Sequence, residues 1–294
     1  MNRVELIVNP AAGQGRAGEM AEALEKHLRE LGASLVTHLT MGPGQGVALA
    51  RELAESGART LAVAGGDGTL FEIINGCLQS DGPVPDLALI PLGSGNDFAK
   101  SLGIPMEWED ACDRLVLGTK RRVDVGQCND LFFINSLGIG LDAQIAKASQ
   151  SSSWIPRQSR YMSALLRSLI GKRATPIKLS HDQGELEQSV TLVVVANGSY
   201  EGGHFQLAPH ADIEDGRLDL VIAPDMSRRA IMRYLPLALD GEVEGIPGYQ
   251  RWLTRRVRIQ LPEPTLVHAD GEIIYHRAKR LEIGILPGAL CFLC

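Results

Sequence analysis

The chain has 294 residues, more than one typical domain of roughly 100–200 residues, and its 45% hydrophobic content is enough for two cores. A net charge of −6 excludes a nucleic-acid binder that relies on overall phosphate neutralisation, though not a local basic patch. No apolar run reaches the length of a membrane span. Met1-Asn2-Arg3 leads straight into strand-like Val4-Glu5-Leu6-Ile7-Val8 without the segments of a signal peptide, so a cytoplasmic protein is expected.

From residue 4 to residue 125, short apolar runs alternate with amphipathic stretches, which predicts a parallel sheet covered by helices. Strands are expected at 4–8, 34–40, 60–64, 87–91 and 122–125. The clearest helix spans 17–31, with Met20, Leu24, Leu28 and Leu31 on one face, and another is expected over Phe71–Asn75. Glycine-rich turns after the strands then gather at one edge, where open α/β sheets bind ligands. They are Asn9-Pro10-Ala11-Ala12-Gly13-Gln14-Gly15, then Gly65-Gly66-Asp67-Gly68-Thr69-Leu70, then Pro91-Leu92-Gly93-Ser94-Gly95-Asn96-Asp97-Phe98.

Strand, glycine turn and helix together present backbone N–H groups and a positive helix end to phosphate, and glycines permit positive φ and close approach. Asp67 would repel phosphate directly, so a divalent cation between them is expected. Asp97 brings a second carboxylate, Ser94 a hydroxyl and Asn9 an amide. Each turn alone also reads as a tight connection. There is no G-x-x-x-x-G-K-[ST], and Gly13-Gln14-Gly15 lacks the third glycine of a dinucleotide fingerprint.

Asn9-Pro10-x-x-Gly13, Gly65-Gly66-Asp67-Gly68-Thr69 and Pro91-Leu92-Gly93-Ser94-Gly95-Asn96-Asp97-Phe98-Ala99, in this order, resemble the diacylglycerol kinase catalytic domain family. The nearest likeness is to soluble bacterial lipid kinases related to diacylglycerol, ceramide and sphingosine kinases. The second motif is shared with NAD kinases and phosphofructokinases, whereas the third singles out the lipid kinases. The resemblance implies ATP and Mg²⁺ on Asn9, Thr40, Gly65, Gly66, Asp67, Gly68, Thr69, Leu70, Phe71, Ser94 and Asp97. Ser94 stands where relatives often carry threonine, and keeps the hydroxyl.

Beyond residue 125 the strand-like runs 131–134, 177–179, 190–196, 218–222, 255–261, 265–268, 273–275 and 281–286 are separated by turn residues, which suggests an antiparallel sandwich with inserted helices. The expected domains are 1–126 joined by 287–294, and 127–286. The fold class is α/β: a three-layer α/β nucleotide-binding domain followed by an antiparallel β-sandwich. Gly138-Ile139-Gly140-Leu141-Asp142-Ala143, Gly202-Gly203 and residues 209–219 match further family segments. In relatives, a loop of the last kind holds a structural magnesium. Carried over, Asp215 supplies its side chain and Asp212 and Arg217 backbone oxygen, with an ordinary turn at Asp215-Gly216 as the alternative.

Ala269-Asp270-Gly271-Glu272 reads as a hairpin with Asp-Gly at its centre. The family uses the glutamate of this tripeptide as proton acceptor, here Glu272, with the alcohol entering from a cleft between domains. Residues 154–173 place Tyr161, Met162, Leu165, Leu166, Leu169 and Ile170 on one helical face, read as core packing in preference to an interfacial membrane helix. The preceding Ser151-Ser152-Ser153 loop, with Trp154 and Arg157, is a candidate for touching lipid head groups. The five cysteines are expected as thiols, and Cys291 and Cys294 as residues of a final strand, not a metal or redox pair.

These readings converge on an ATP- and Mg²⁺-dependent kinase of a lipid alcohol, with diacylglycerol to phosphatidic acid as the leading reaction. The partners are ATP, the lipid and a transient membrane surface at the inner face, with no nucleic acid, and a homodimer is compatible. One rival is an NAD kinase-like phosphotransferase, opposed by the Pro91–Ala99 segment and by the lack of an Asn-Glu pair after the glycine turn. The other is a catalytically silent nucleotide or lipid sensor, opposed by the presence of Asp67, Asp97 and Glu272.

Overall fold

The computed structural model describes residues 3–150, 157–203 and 205–294, which part into two compact units, Met1–Val125 with Gly288–Cys294 and Gly126–Pro287. In the first unit, β1 (Arg3–Val8), α1 (Arg16–Glu30), β2 (Ser34–Leu39), α2 (Gln45–Glu55), β3 (Thr60–Gly65), α3 (Asp67–Leu78), β4 (Asp86–Pro91), α4 (Asp97–Leu102) and α5 (Trp108–Leu117) follow one another. The strands form a parallel sheet in the order β4-β3-β1-β2. Central β3 is buried along its whole length, whereas edge strand β2 alternates, as expected where helices cover both faces of the middle strands only. Leu6, Val8, Ala62, Ala64, Ala88 and Ile90 pack with Ala17, Leu24 and Leu28 of α1 and Leu115 of α5. Met20 and Leu31 of the predicted apolar stripe are only partly buried at its margin.

The helix expected from Phe71 begins four residues earlier, at Asp67. Gly66 is its extended N-cap residue (φ −113°, ψ −169°), and the Leu70 N–H donates to Gly66 O at 3.0 Å. A carboxylate in the first turn also suits the positive end of the helix. Gly76 lets α3 approach α2 closely, since a Cβ there would lie 2.3 Å from the Val47 carbonyl oxygen.

β5 (Lys120–Cys128) leads into the second unit, which contains β6 (Leu131–Phe133), β7 (Ser136–Gly140), α6 (Leu141–Gln150), α7 (Arg157–Ile170), β8 (Thr175–His181), β9 (Gly184–Ala196), β10 (Leu218–Pro224), α8 (Arg228–Asp240), β11 (Gln250–Thr254) and β12 (Arg256–Ala269). β13 (Glu272–Leu293) starts here and ends in the first unit, where Phe292 pairs with Leu87 of β4. Four expected short strands are therefore two long ones. The runs 255–261 and 265–268 belong to β12, and 273–275 and 281–286 to β13, with register shifts between Gln260 and His268. Pro262 and Pro264 lack the N–H that would continue the ladder, which explains why the sequence pattern breaks there while the chain stays extended.

These long strands build the sandwich. The first part of β9 pairs with β8 and its last part with β7 and β10, while β12 pairs with β8 near Arg256 and with β7 near Val267. Each therefore changes partners along its length within one continuous sheet. α6, α8, β7 and β11 had no counterpart in the sequence reading. α8 has ordinary end signals nonetheless: the Ser227 hydroxyl accepts from Ala230 N–H and Gly241 is left-handed after the last turn. In α7, Ala164, Leu165 and Leu169 are buried, but Leu166 and Ile170 of the predicted core face are 48% and 72% exposed. Ser151, Ser152, Ser153 and Trp154, and the side chain of Arg157, lie outside the described residues.

Candidate functional site

In the first unit the predicted turns meet at the carboxyl ends of β1, β3 and β4. The Asn9 N–H donates to Ala64 O, the Leu92 N–H to Gly65 O and the Thr40 N–H to Val8 O, at 2.9–3.1 Å. The Asn9 amide also donates to the Thr69 hydroxyl at 2.9 Å, while its oxygen accepts from the Ala11 N–H. Asp67 accepts from the Phe98 N–H at 3.2 Å, which links the second turn to the third. A Cβ on Gly95 would lie 2.9 Å from Asp67 Oδ2 and 3.3 Å from Asp97 Oδ2, so the two carboxylates converge on this glycine.

The glycines do not serve positive φ, as the sequence suggested: none of Gly65, Gly66, Gly68, Gly93 and Gly95 adopts it. They permit contact. A Cβ on Gly93 would stand 2.1 Å from Gly66 Cα, and one on Gly65 2.6 Å from Thr69 Oγ1. Positive φ falls instead on Gly13, Gly15 and Asn96.

Ser94 is exposed, Asp97 is 7% exposed beside Lys100 at 3.0 Å, and Thr40 is buried at the same sheet edge. Leu70 is in the core with its N–H bonded inside α3, and Phe71 is half-buried one position further along that helix. Glu72 was missed. Its two oxygens accept from the Gly44 and Gly46 N–H groups, each at 2.8 Å, fixing the start of α2 close in sequence to Thr40. Asn96 was missed in a role of its own. It is left-handed, and its buried Oδ1 has no partner among the described residues. Two carboxylates, hydroxyls, an amide and the α3 N-terminus form an oxygen- and N–H-rich donor set that fits a magnesium-bound phosphate chain.

In the second unit, Asp270 and Gly271 are both left-handed (φ 50° and 82°), closing a two-residue turn between Ala269 and Glu272. The Asp270 carboxylate accepts three backbone N–H groups, from Ile134, Asn135 and Ser136, at 2.8–3.0 Å. Burial raises its pKa to about 6, and those three donors oppose the rise. Half-buried Glu272 accepts from the Gln150 amide at 3.0 Å, and the same amide donates to Gly271 O.

Next to this hairpin, His268 Nε2 lies 2.8 Å from Asp142 Oδ2 and 3.3 Å from Glu201 Oε1. Ser136 Oγ donates to that Glu201 oxygen and Tyr161 OH to Asp142. Burial disfavours a charged His268, but Asp142 and then Glu201 outweigh it and hold the imidazole up at about 10. Burial and the Asp142 charge in turn push Glu201 up to about 7. Asp142 stands in the family segment Gly138–Ala143, but nothing in the sequence joined it to His268 and Glu201, which lie far from it in the chain.

Asp212, Asp215 and Arg217 share one exposed loop. Asp212 accepts from the Glu214 N–H and Asp215 from the Arg217 N–H, at 3.0 and 2.8 Å, around left-handed Gly216. Carboxylate and carbonyl oxygens are the donors a hard cation takes. Cys291 and Cys294 are half-buried thiols, the first within β13 and the second just past it.

A family model described as the diacylglycerol kinase catalytic domain matches residues 3–128, and one described as the YegS C-terminal NAD kinase beta sandwich-like domain matches residues 135–294. A Chromohalobacter salexigens protein named "Probable lipid kinase YegS-like" is 34% identical over 97% of this chain and 91% of its own length. A Bacillus subtilis protein named diacylglycerol kinase is 30% identical over 92% and 90%. Two crystal structures from Bacillus anthracis strain Sterne superpose with TM-scores of 0.84 and 0.77, each covering 99% of this chain and 96% of the other, at 28% and 27% identity. The second of these is described as a diacylglycerol kinase. With family models matched over residues 3–128 and 135–294 and a relative above 30% identity over nearly the whole chain, the protein belongs to the diacylglycerol kinase catalytic domain family and is an ATP-dependent lipid kinase.

Proposed function

We propose that the protein transfers the γ-phosphate of ATP to the hydroxyl of a lipid alcohol, with diacylglycerol as acceptor and phosphatidic acid as product. The observation that carries this reading is the convergence of Asp67 and Asp97 on Gly95 at a sheet edge lined by Asn9, Thr69 and Ser94. Asn9, Thr40, Gly65–Phe71, Ser94 and Asp97 bind the nucleotide, with Asp67 and Asp97 turned to the cation. Magnesium, when bound, neutralises phosphate oxygens as charge shifts toward the leaving diphosphate. Glu272 takes the acceptor's proton: a new O–P bond forms, the bond from the γ-phosphorus to the bridging oxygen breaks, and that electron pair leaves with ADP. Asp215, Asp212 and Arg217 hold a second, structural magnesium.

The lipid is met at a membrane surface. Exposed Leu166 and Ile170 flank Arg167 on α7, and exposed Met232 stands among Arg228, Arg229 and Arg233 on α8, an apolar and basic mixture suited to anionic head groups. Among the described residues no helix is long and apolar enough to cross a membrane. A labelled-ATP assay against lipid alcohols in mixed micelles tests the reading. Labelled phosphatidic acid from diacylglycerol is the expected product. Labelling of another lipid alone would change the acceptor, and phosphorylation of NAD with no lipid product would overturn the assignment.

A further inference from the structure

Buried charged groups in a sandwich core call for an account, because an ion pair out of water adds little stability over apolar residues of similar size. Asp142 and His268 are each 2% exposed or less, in a neighbourhood that includes Leu141, Ile145 and Val267. Glu201 lies with them at 8% exposure, and its Oε2 has no partner among the described residues. Room is reserved for the pair: a Cβ on Gly138 would fall 1.8 Å from Asp142 Oδ2 and 2.2 Å from His268 Nε2.

The connectivity suggests what the group does. Asp142 is in the first turn of α6, and Gln150 is the last residue of the same helix, about 12 Å away at 1.5 Å per residue. Gln150 donates to Gly271 O and to Glu272. His268 lies on β12 two residues before the turn that presents Glu272. Helix α6 is therefore fastened at both ends to one hairpin, by an ion pair at its start and an amide at its finish.

We infer that Asp142, His268 and Glu201 are positioning residues which, through α6 and Gln150, hold the Glu272 carboxylate in its working orientation. The inference rests on the reading of Glu272 as proton acceptor. Tyr161 donates to the outer Asp142 oxygen, Ser136 to the Glu201 oxygen that faces His268, and the Gly271 N–H to His268 Nδ1, which ties the group to the turn itself.

The test is kcat and KM with labelled ATP and diacylglycerol micelles for His268→Gln, Gln150→Ala and Glu272→Gln, singly and paired. His268→Gln and Gln150→Ala should each lower kcat about tenfold with KM for ATP unchanged, because misplacing a reacting group slows the chemical step. Neither should lower it further in a Glu272→Gln background. Losses that multiply in that background would show a general structural role and overturn the inference, as would unchanged kcat in both single variants. Gln150 is exposed, so its variant keeps the experiment decisive if His268→Gln folds poorly. Wild-type kcat in Glu272→Gln alone would instead sink the proton-acceptor reading. One equivalent of bound transition metal, lost on His268→Gln, would make the triad a ligand set and also overturn the positioning role.

Discussion

The two units treat their acidic residues in opposite ways. In the first, Asp67 and Asp97 sit in glycine turns at strand ends and converge on Gly95, Asp67 half-buried beside the Phe98 N–H and Asp97 buried beside Lys100. In the second, Asp142, Glu201 and Asp270 turn inward, the first two against His268 and the third onto three consecutive N–H groups. A carboxylate at an edge of glycines and backbone N–H groups leaves room for a ligand, whereas one locked in a core network holds a shape. Ligand chemistry is therefore expected at the first set and geometry from the second, with Glu272 at the boundary: a half-buried acid whose orientation depends on buried neighbours.

The sharpest way to break the contrast is Asp67→Ala. Activity should fall at least a hundredfold while the melting temperature shifts by no more than a few degrees, the bond to the Phe98 N–H being among those lost. Retention of more than about a tenth of wild-type activity would remove Asp67 from ligand chemistry. Glu272→Gln should lower kcat by about a hundredfold with KM for ATP little changed, read from steady-state kinetics. A variant that loses only lipid affinity would make Glu272 a binding residue. Gly93→Ala probes the contact between turns. Its Cβ would meet Gly66 Cα at 2.1 Å, so a destabilisation of about 1–3 kcal/mol by denaturant titration should accompany weakened ATP binding.

Smaller effects test the second unit. Chelation and Asp215→Ala should each lower the melting temperature by a few degrees, and together no further, if the loop binds a cation in the folded state only. Identical melting curves for chelated, mutant and untreated protein would dismiss that cation. The buried triad also predicts a pH profile. Glu201, raised from 4.5 to about 7, binds its proton more tightly when folded, so its contribution falls as pH rises across that interval. His268, raised from 6.5 to about 10, contributes fully below 6.5 and loses its contribution as pH climbs through 10. The melting temperature should therefore be lower at pH 9.5 than at 6.5, and His268→Gln should flatten the slope.

The first unit was legible in the sequence because its information is local. Each strand is a short apolar run, and each turn announces itself by glycines within a few residues of the acid it presents. Even there the reason for the glycines was misread: Gly66 and Gly93 are 27 positions apart, and only folding shows that each excludes a side chain on the other. In the second unit, prolines at 262 and 264 made one bent strand look like two, and register pairing over long separations left no local trace. The Asp270-Gly271 turn was readable, being two adjacent residues. The Asp142–His268 pair, separated by 126 positions, was not.

The last residues of the chain set a schedule for folding. Phe292 is fully buried, pairs with Leu87 and packs its ring, tilted, 5.3 Å from that of Phe98, and Cys294 exchanges both backbone hydrogen bonds with Thr119. The sheet that begins at Arg3 thus lacks a strand until the ribosome has made everything after Val125 as well. At a synthesis rate of roughly 5–20 residues per second, the nascent first unit spends about ten to thirty seconds with an open apolar slot beside β4. A chain lacking residues 288–294 would leave that slot beside β4 uncovered.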